Sequence, residues 1–193
     1  MMKQMLRIII LSICFFIKKA DAQNNLVPNY SFEFHTSCPN NTITDIGLAF
    51  PWFNPTVNAS PYFNSCSTNP GAGVPCNWAG CQYPRTGNAY ADIVTLYGTP
   101  DGRGYIETPL LDTLIKGKKY CVQMYVSLSE ISVYATNNLG VYFSKDSIYD
   151  YTTLYYLSYI PQVEHTSIIT MDTVNWVQIS GELIAGGGKN LLP

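Results

Sequence analysis

The sequence predicts an all-β protein, an antiparallel β-sandwich of the jelly-roll type, on three observations. Apolar residues alternate with polar ones in several segments, helical periodicity is nearly absent, and Tyr, Val, Ile and Thr are abundant. In Lys119–Ser129, Tyr120, Val122, Met124, Val126 and Leu128 share one face, and Cys121, Gln123, Tyr125, Ser127 and Ser129 the other. That period of two marks a half-buried strand. Leu139, Val141 and Phe143 repeat the pattern, as do Val177, Ile179 and Leu183 opposite Trp176, Gln178 and Glu182. Shorter strands are expected at Tyr30–Phe34, Ala89–Leu96 and Gly104–Thr108. With Met124 in the core, a charged residue there would cost several kcal/mol, on the order of burying an unpaired charge.

The chain begins with an export signal. Lys3 and Arg7 precede an apolar run from Ile8 to Ile17, and Ala20-Asp21-Ala22 is a small-x-small cleavage pattern. Residues 1–22 are therefore read as a signal peptide and Gln23 as the mature N-terminus. The run is too short to span a bilayer, which takes about 20 apolar residues, and no later stretch comes closer. Ahead of Cys14, bulky Ile13 stands where a lipoprotein signal wants a small residue. Of the 11 basic and 13 acidic residues, the signal carries Lys3, Arg7, Lys18, Lys19 and Asp21, so the mature chain keeps 7 and 12, a formal charge of −5. Such a surface does not suit nucleic acid or anionic lipid, which reward clustered Lys and Arg. Residues 23–193 are read as one domain.

Five cysteines remain after cleavage: Cys38, Cys66, Cys76, Cys81 and Cys121. Four residues separate Cys76 from Cys81, Cys38 and Cys66 lie far apart, and only His35 and His165 are available to help, so zinc-ligand spacing is absent. Disulfides suit an exported chain. Among the connectivities that the sequence allows, we pair Cys38 with Cys66 and Cys76 with Cys81, and read Cys121 as a buried thiol within a strand. Three of the five fall in a stretch dense in Pro, Gly, Asn and Ser, residues 51–87, read as a long loop pinned by disulfides and by Trp52, Phe53, Tyr62, Phe63, Trp78 and Tyr83.

No catalytic pattern appears. GxSxG, HExxH and P-loop motifs are missing, Gly71-Ala72-Gly73 runs into Val74-Pro75-Cys76, and His35 and His165 have no nucleophile pattern beside them. Asp92, Asp101, Glu107 and Glu130 offer carboxylates for a glycosidase pair, but nothing in their spacing singles out two of them. The chain is read as a non-enzyme. Sugar binding needs aromatic faces with amides close by; Trp78 with Asn77, Tyr62 with Asn64, and Tyr83 supply them on the long loop. The competing role for these rings is to staple the loop to the sandwich, as expected for Trp52 and Trp176.

A set of segments points to a family. Asn25-Leu26-Val27-Pro28-Asn29-Tyr30-Ser31-Phe32-Glu33, Cys38-Pro39, Pro51-Trp52, Pro61-Tyr62-Phe63-Asn64-Ser65-Cys66, Gly87-Asn88-Ala89-Tyr90-Ala91, Gly117-Lys118-Lys119-Tyr120 and Trp176-Val177-Gln178-Ile179-Ser180-Gly181 follow one another across the mature chain. Together they resemble the N-terminal module of Bacteroidetes-type OmpA-family and gliding-motility-associated surface proteins, and the opening is similar to carbohydrate-binding-module jelly rolls. The resemblance implies a secreted or cell-surface, outer-membrane setting and a non-catalytic role. That role is glycan binding or adhesion through the aromatic-rich loop or, alternatively, that of a structural spacer with no small ligand. It implies no cofactor beyond a weak structural Ca²⁺ held in part by Glu33, whose other expected role is to cap a turn. Two departures stand out. Asp92 follows Ala91 where the family has glycine, and the chain ends at Gly186-Gly187-Gly188-Lys189-Asn190-Leu191-Leu192-Pro193 where the family continues into further strands. The sandwich is accordingly expected to lack its last strand or strands, and to need a partner strand or a C-terminal continuation.

Overall fold

A computed structural model of the chain describes residues 24–41, 46–96, 102–135, 137–152, 156–167, 172–187 and 191–192. Residues 1–22, expected to be a signal peptide, Gln23 and Asp101 lie outside the described residues. The protein is all-β and antiparallel. Among the described residues ten strands follow one another: β1 (Tyr62–Asn64), β2 (Cys76–Asn77), β3 (Gly80–Cys81), β4 (Ala89–Ala91), β5 (Thr108–Pro109), β6 (Lys119–Val126), β7 (Leu139–Val141), β8 (Val163–His165), β9 (Val177–Ile184) and β10 (Leu191–Leu192). One 3₁₀ turn, Ile46–Leu48, precedes them.

The strands pair as β1 with β4, β2 with β3, β5 with β10, β6 with β9 and β7 with β8. Among the described residues the strands form five two-stranded ladders, all antiparallel. The longest, β6–β9, runs in register from Lys119 opposite Ile184 to Val126 opposite Val177. Its alternation is the expected one. Tyr120, Ile179 and Leu183 are buried and Val122, Met124 and Val126 half-buried, while Cys121, Gln123, Gln178 and Glu182 face solvent. Two expectations are corrected by this register. Cys121 is exposed, because it sits on the outer face opposite Glu182, and Met124 is half-buried, which lowers the cost of a charge there.

A second layer lies over the inner face. Leu110, Leu114, Tyr120, Val163, Leu183 and Ala185 form one core cluster, with Leu26, Val27, Val122 and Phe143 packed against it. β8 lies close over Gly181, where an added Cβ would stand 2.7 Å from Val163 Cγ1. Glycine is what lets β8 settle on β9. Gly181→Val should therefore lower stability by roughly 1–3 kcal/mol through overpacking; equilibrium unfolding in urea measures it, and an unchanged midpoint would contradict the packing described.

The second cluster comprises Ile46, Ala49, Trp52, Tyr62 and Ala89, with Val27, Phe32, Leu48, Ala91 and Ile106 around it. Trp52 is in the core as expected, its indole N–H donating to Asn29 O at 3.0 Å. Residues Tyr30–Phe34 do not form the expected strand. They belong to a turn organised by Asn29, whose Nδ2 donates to Phe34 O, Ala49 O and Phe50 O and whose Oδ1 accepts Phe34 N–H. Asn29 (φ 44°) and Phe32 (φ 62°) adopt left-handed backbone there, which a strand excludes. The expected strand Ala89–Leu96 is ordered only over Ala89–Ala91. Gly104–Thr108 is reduced to a bridge between Glu107 and Phe53 followed by β5. After the glycine run, where no strand was expected, the chain returns as β10 against Thr108–Pro109.

Candidate functional site

Both expected disulfides are present, Cys38–Cys66 and Cys76–Cys81. The second closes the β2–β3 hairpin, whose turn carries Trp78 and Ala79. Gly80, at φ 120°, gives the side chain of Glu130 room to lie against the hairpin; a Cβ would meet Glu130 Cβ and Oε2 at 3.1 Å. Glu130 Oε2 thereby reaches Cys81 N–H at 2.8 Å.

Further bonds join the hairpin to two other loops at one end of the β6–β9 ladder. Ser129 Oγ donates to Ala79 O, Ser127 Oγ to Gln82 Oε1, Gln82 Nε2 to Val174 O and Trp176 Nε1 to Tyr83 O. Leu128 N–H donates to Asp172 O, linking the two flanking loops to each other. The Arg85 guanidinium lies 3.4 Å from the Tyr125 ring centroid, a cation–π contact on the outer face of β6. Rings continue inward from the surface: Trp78 packs on Phe63, Phe63 on Tyr90 and Tyr90 on Trp176, at centroid separations of 6.3, 5.3 and 5.9 Å.

The structure divides the residues expected to bind ligand. Trp78 is 40% exposed and Tyr83 74%, so both present ring surface to solvent from a braced backbone. Tyr62 and Asn64 are in the core. Tyr62, 1% exposed, donates its hydroxyl to Phe32 O at 2.9 Å and accepts Asn64 Nδ2 at 2.6 Å, while Asn64 Oδ1 accepts Cys66 N–H. A ligand from solvent cannot reach either. Burial pushes the Tyr62 hydroxyl up from its ordinary value, with the Asn64 bond opposing. Asn77 is half-buried and serves the hairpin, its Nδ2 donating to Gly73 O and Tyr90 OH and its Oδ1 accepting Ala79 N–H. Sequence reasoning missed the remainder of this surface. Ile131, Val133, Tyr134 and Val174 are exposed on the two loops that flank the hairpin. Nothing in their local sequence tells that these loops meet the hairpin.

Glu33 acts as the cap of a turn. Its Oε1 accepts Asn88 N–H at 2.9 Å and its Oε2 accepts Asn88 Nδ2 at 3.4 Å. With both oxygens engaged, the donor set that calcium wants, several free hard oxygens, does not fit Glu33 here. The other carboxylates are placed apart in environment. Glu107 is fully buried, with both oxygens near Ile148 N–H at 3.3 and 3.2 Å, and burial pushes it up to about 7 against that bond. Burial likewise raises Asp92, against the Ile93 N–H bond. His165 Nε2 bonds Ser167 Oγ.

No protein-family model, curated protein or solved structure matches the chain.

Proposed function

We propose that this chain is a non-catalytic, extracytoplasmic binding module, glycan-binding or adhesive, that works through the loop end built around Trp78 and Tyr83. One observation carries the reading: two exposed aromatic rings, Trp78 in the turn of a hairpin and Tyr83 just after it, stand on backbone fixed by a disulfide and by hydrogen bonds to both neighbouring loops. Aromatic faces stack on the apolar faces of sugar rings, and a backbone fixed beforehand loses little freedom when it binds. The export signal and two disulfides support an oxidising compartment. The resemblance to OmpA-family surface modules supports placement at the cell surface or outer membrane.

A second reading, a structural spacer without a small ligand, is favoured by the polar groups of the loop. The side chains of Asn64 and Asn77 and the Tyr62 hydroxyl are all spent on internal bonds, which leaves few partners for sugar hydroxyls. A glycan array separates the two. Under the first reading the protein binds a defined set of glycans, and Trp78→Ala abolishes binding while costing less than about 1 kcal/mol of stability, as for a surface substitution. An array on which wild type and Trp78→Ala are both silent refutes glycan binding and leaves the spacer.

A further inference from the structure

Away from the loop end, His35, Cys38 and Cys66 bring three soft donor atoms within 4.8 Å of one another, a group outside everything described so far. His35 Nδ1 lies 3.0 Å from Glu33 O. A carbonyl only accepts, so in the neutral imidazole Nδ1 carries the proton and Nε2 keeps its lone pair. That lone pair faces Cys66 Sγ, 3.6 Å away. A backbone carbonyl holding one ring nitrogen so that the other is free is how proteins orient a metal-binding histidine.

We propose that reduction of the Cys38–Cys66 disulfide by a small thiol turns this corner into a zinc site, with Cys38 Sγ, Cys66 Sγ and His35 Nε2 as ligands and a fourth position open to water. Two molecules of the thiol supply two electrons and two protons: the S–S bond breaks, two cysteine thiols form and the reductant leaves as its own disulfide. Zinc entry then releases the two thiol protons and forms two Zn–S bonds and one Zn–N bond. The dimensions agree. Tetrahedral zinc with Zn–S near 2.3 Å and Zn–N near 2.0 Å sets its ligand atoms roughly 3.5–3.8 Å apart. The His35–Cys66 separation already has that value; the two sulfurs must part, with Cys38 Sγ, within 4.8 Å of the His35 nitrogen, settling into the same range.

The corner does not depend on the disulfide to hold its shape. Ser67 Oγ donates to Pro39 O at 2.6 Å and Asn69 Nδ2 to Asn40 O at 2.9 Å, stitching the two chain segments together beside the sulfurs. Cys66 N–H is held by Asn64 Oδ1, and Thr36 N–H by Leu48 O. His35, Cys38 and Cys66 are each half-buried, open enough for a small thiol and an ion. Sequence spacing hid the group, since the two cysteines lie 28 positions apart.

The test uses the whole mature chain, reduced with a phosphine, desalted under anaerobic conditions and titrated with Co²⁺ as a spectroscopic stand-in and then with Zn²⁺. The reduced chain should keep its far-ultraviolet circular dichroism, bind one equivalent and show thiolate-to-cobalt charge-transfer bands that Zn²⁺ abolishes. The oxidised chain should show none. His35→Ala should weaken Zn²⁺ binding by about tenfold or more and change the cobalt spectrum, and Cys38→Ser should remove the site. Because Cys76–Cys81 and Cys121 also present thiols after reduction, a Cys76→Ser/Cys81→Ser/Cys121→Ser variant should still bind one equivalent. Should that variant not fold, the comparison of wild type with His35→Ala decides alone. Equal affinity and identical spectra for those two overturn the proposal, as does a reduced chain that loses its fold and takes up no metal.

Discussion

Glu107→Gln should make the protein more stable at pH 8 than the wild type, by up to about 3 kcal/mol, and leave the two alike near pH 4.5. Glu107 is completely enclosed, and among the described residues its carboxyl is met by one backbone donor, Ile148 N–H. Loss of water around the charge outweighs that bond and pushes the group from 4.5 to about 7 in the folded protein. A carboxyl whose folded value lies above its unfolded value stabilises the fold while protonated. Its contribution is complete below about pH 4.5 and is lost as the pH rises through 7. Glutamine keeps the shape and an acceptor for Ile148 N–H without the charge. Thermal melts of both proteins from pH 4.5 to 8 isolate the effect, because every other titrating group is shared. A difference that does not change with pH would show that Glu107 titrates alike in the folded and unfolded chains, against the shift described.

Tyr62→Ala should cost roughly 3–5 kcal/mol, in the range for deleting a buried aromatic ring, and lower the melting temperature by roughly ten degrees. The ring lies at the centre of the cluster with Ile46, Ala49, Trp52 and Ala89. Its removal also leaves Asn64 Nδ2 and Phe32 O without the Tyr62 hydroxyl that joins them. Tyr62→Phe, which keeps the ring, should cost only roughly 1–3 kcal/mol. Differential scanning calorimetry of the two variants beside Trp78→Ala orders the aromatic residues of the long loop by role. A Tyr62→Ala melt as mild as that of Trp78→Ala would place the Tyr62 ring outside the core.

Those two aromatic residues show what was legible in the sequence. β6 and β9 were, because each has one face on the core and one in solvent, so burial writes a period of two into residues such as Tyr120–Val122 and Ile179–Leu183. β1 was not. Tyr62, Phe63 and Asn64 are all buried, so no alternation exists, and a buried Tyr–Asn pair looks the same in sequence as an exposed one prepared for a sugar. The turn at Asn29 was read as a strand because Tyr30, Phe32 and Phe34 alternate; the side-chain bonds of Asn29 overrode that pattern. That the cysteines form disulfides was legible from the export signal, whereas their connectivity was one choice among the pairings the sequence allows and is given by the fold. The exposure of Cys121 was written in the same alternation, which sets it beside Gln123 and opposite Tyr120 and Val122; the usual preference of a free thiol for burial was set above that pattern. The flanks of the loop end and the His35 corner join residues distant in sequence, and only tertiary structure brings them together.

The β6–β9 ladder also sets how the chain must fold. Each of its pairs joins residues 51 to 65 positions apart, and Leu26 and Val27, near the start of the described residues, pack against the cluster that Leu183 and Ala185 complete. Contacts that close such long loops must lose chain entropy before burial repays it, which puts domains of this kind among the slow folders, in milliseconds to seconds. A chain emerging N-terminus first has no partner for β6, and no completed cluster for Val27, until β9 has followed. Through most of its emergence the inner face of Tyr120 and Val122 is therefore uncovered, and this interval, more than the finished fold, is when the molecule is open to aggregation.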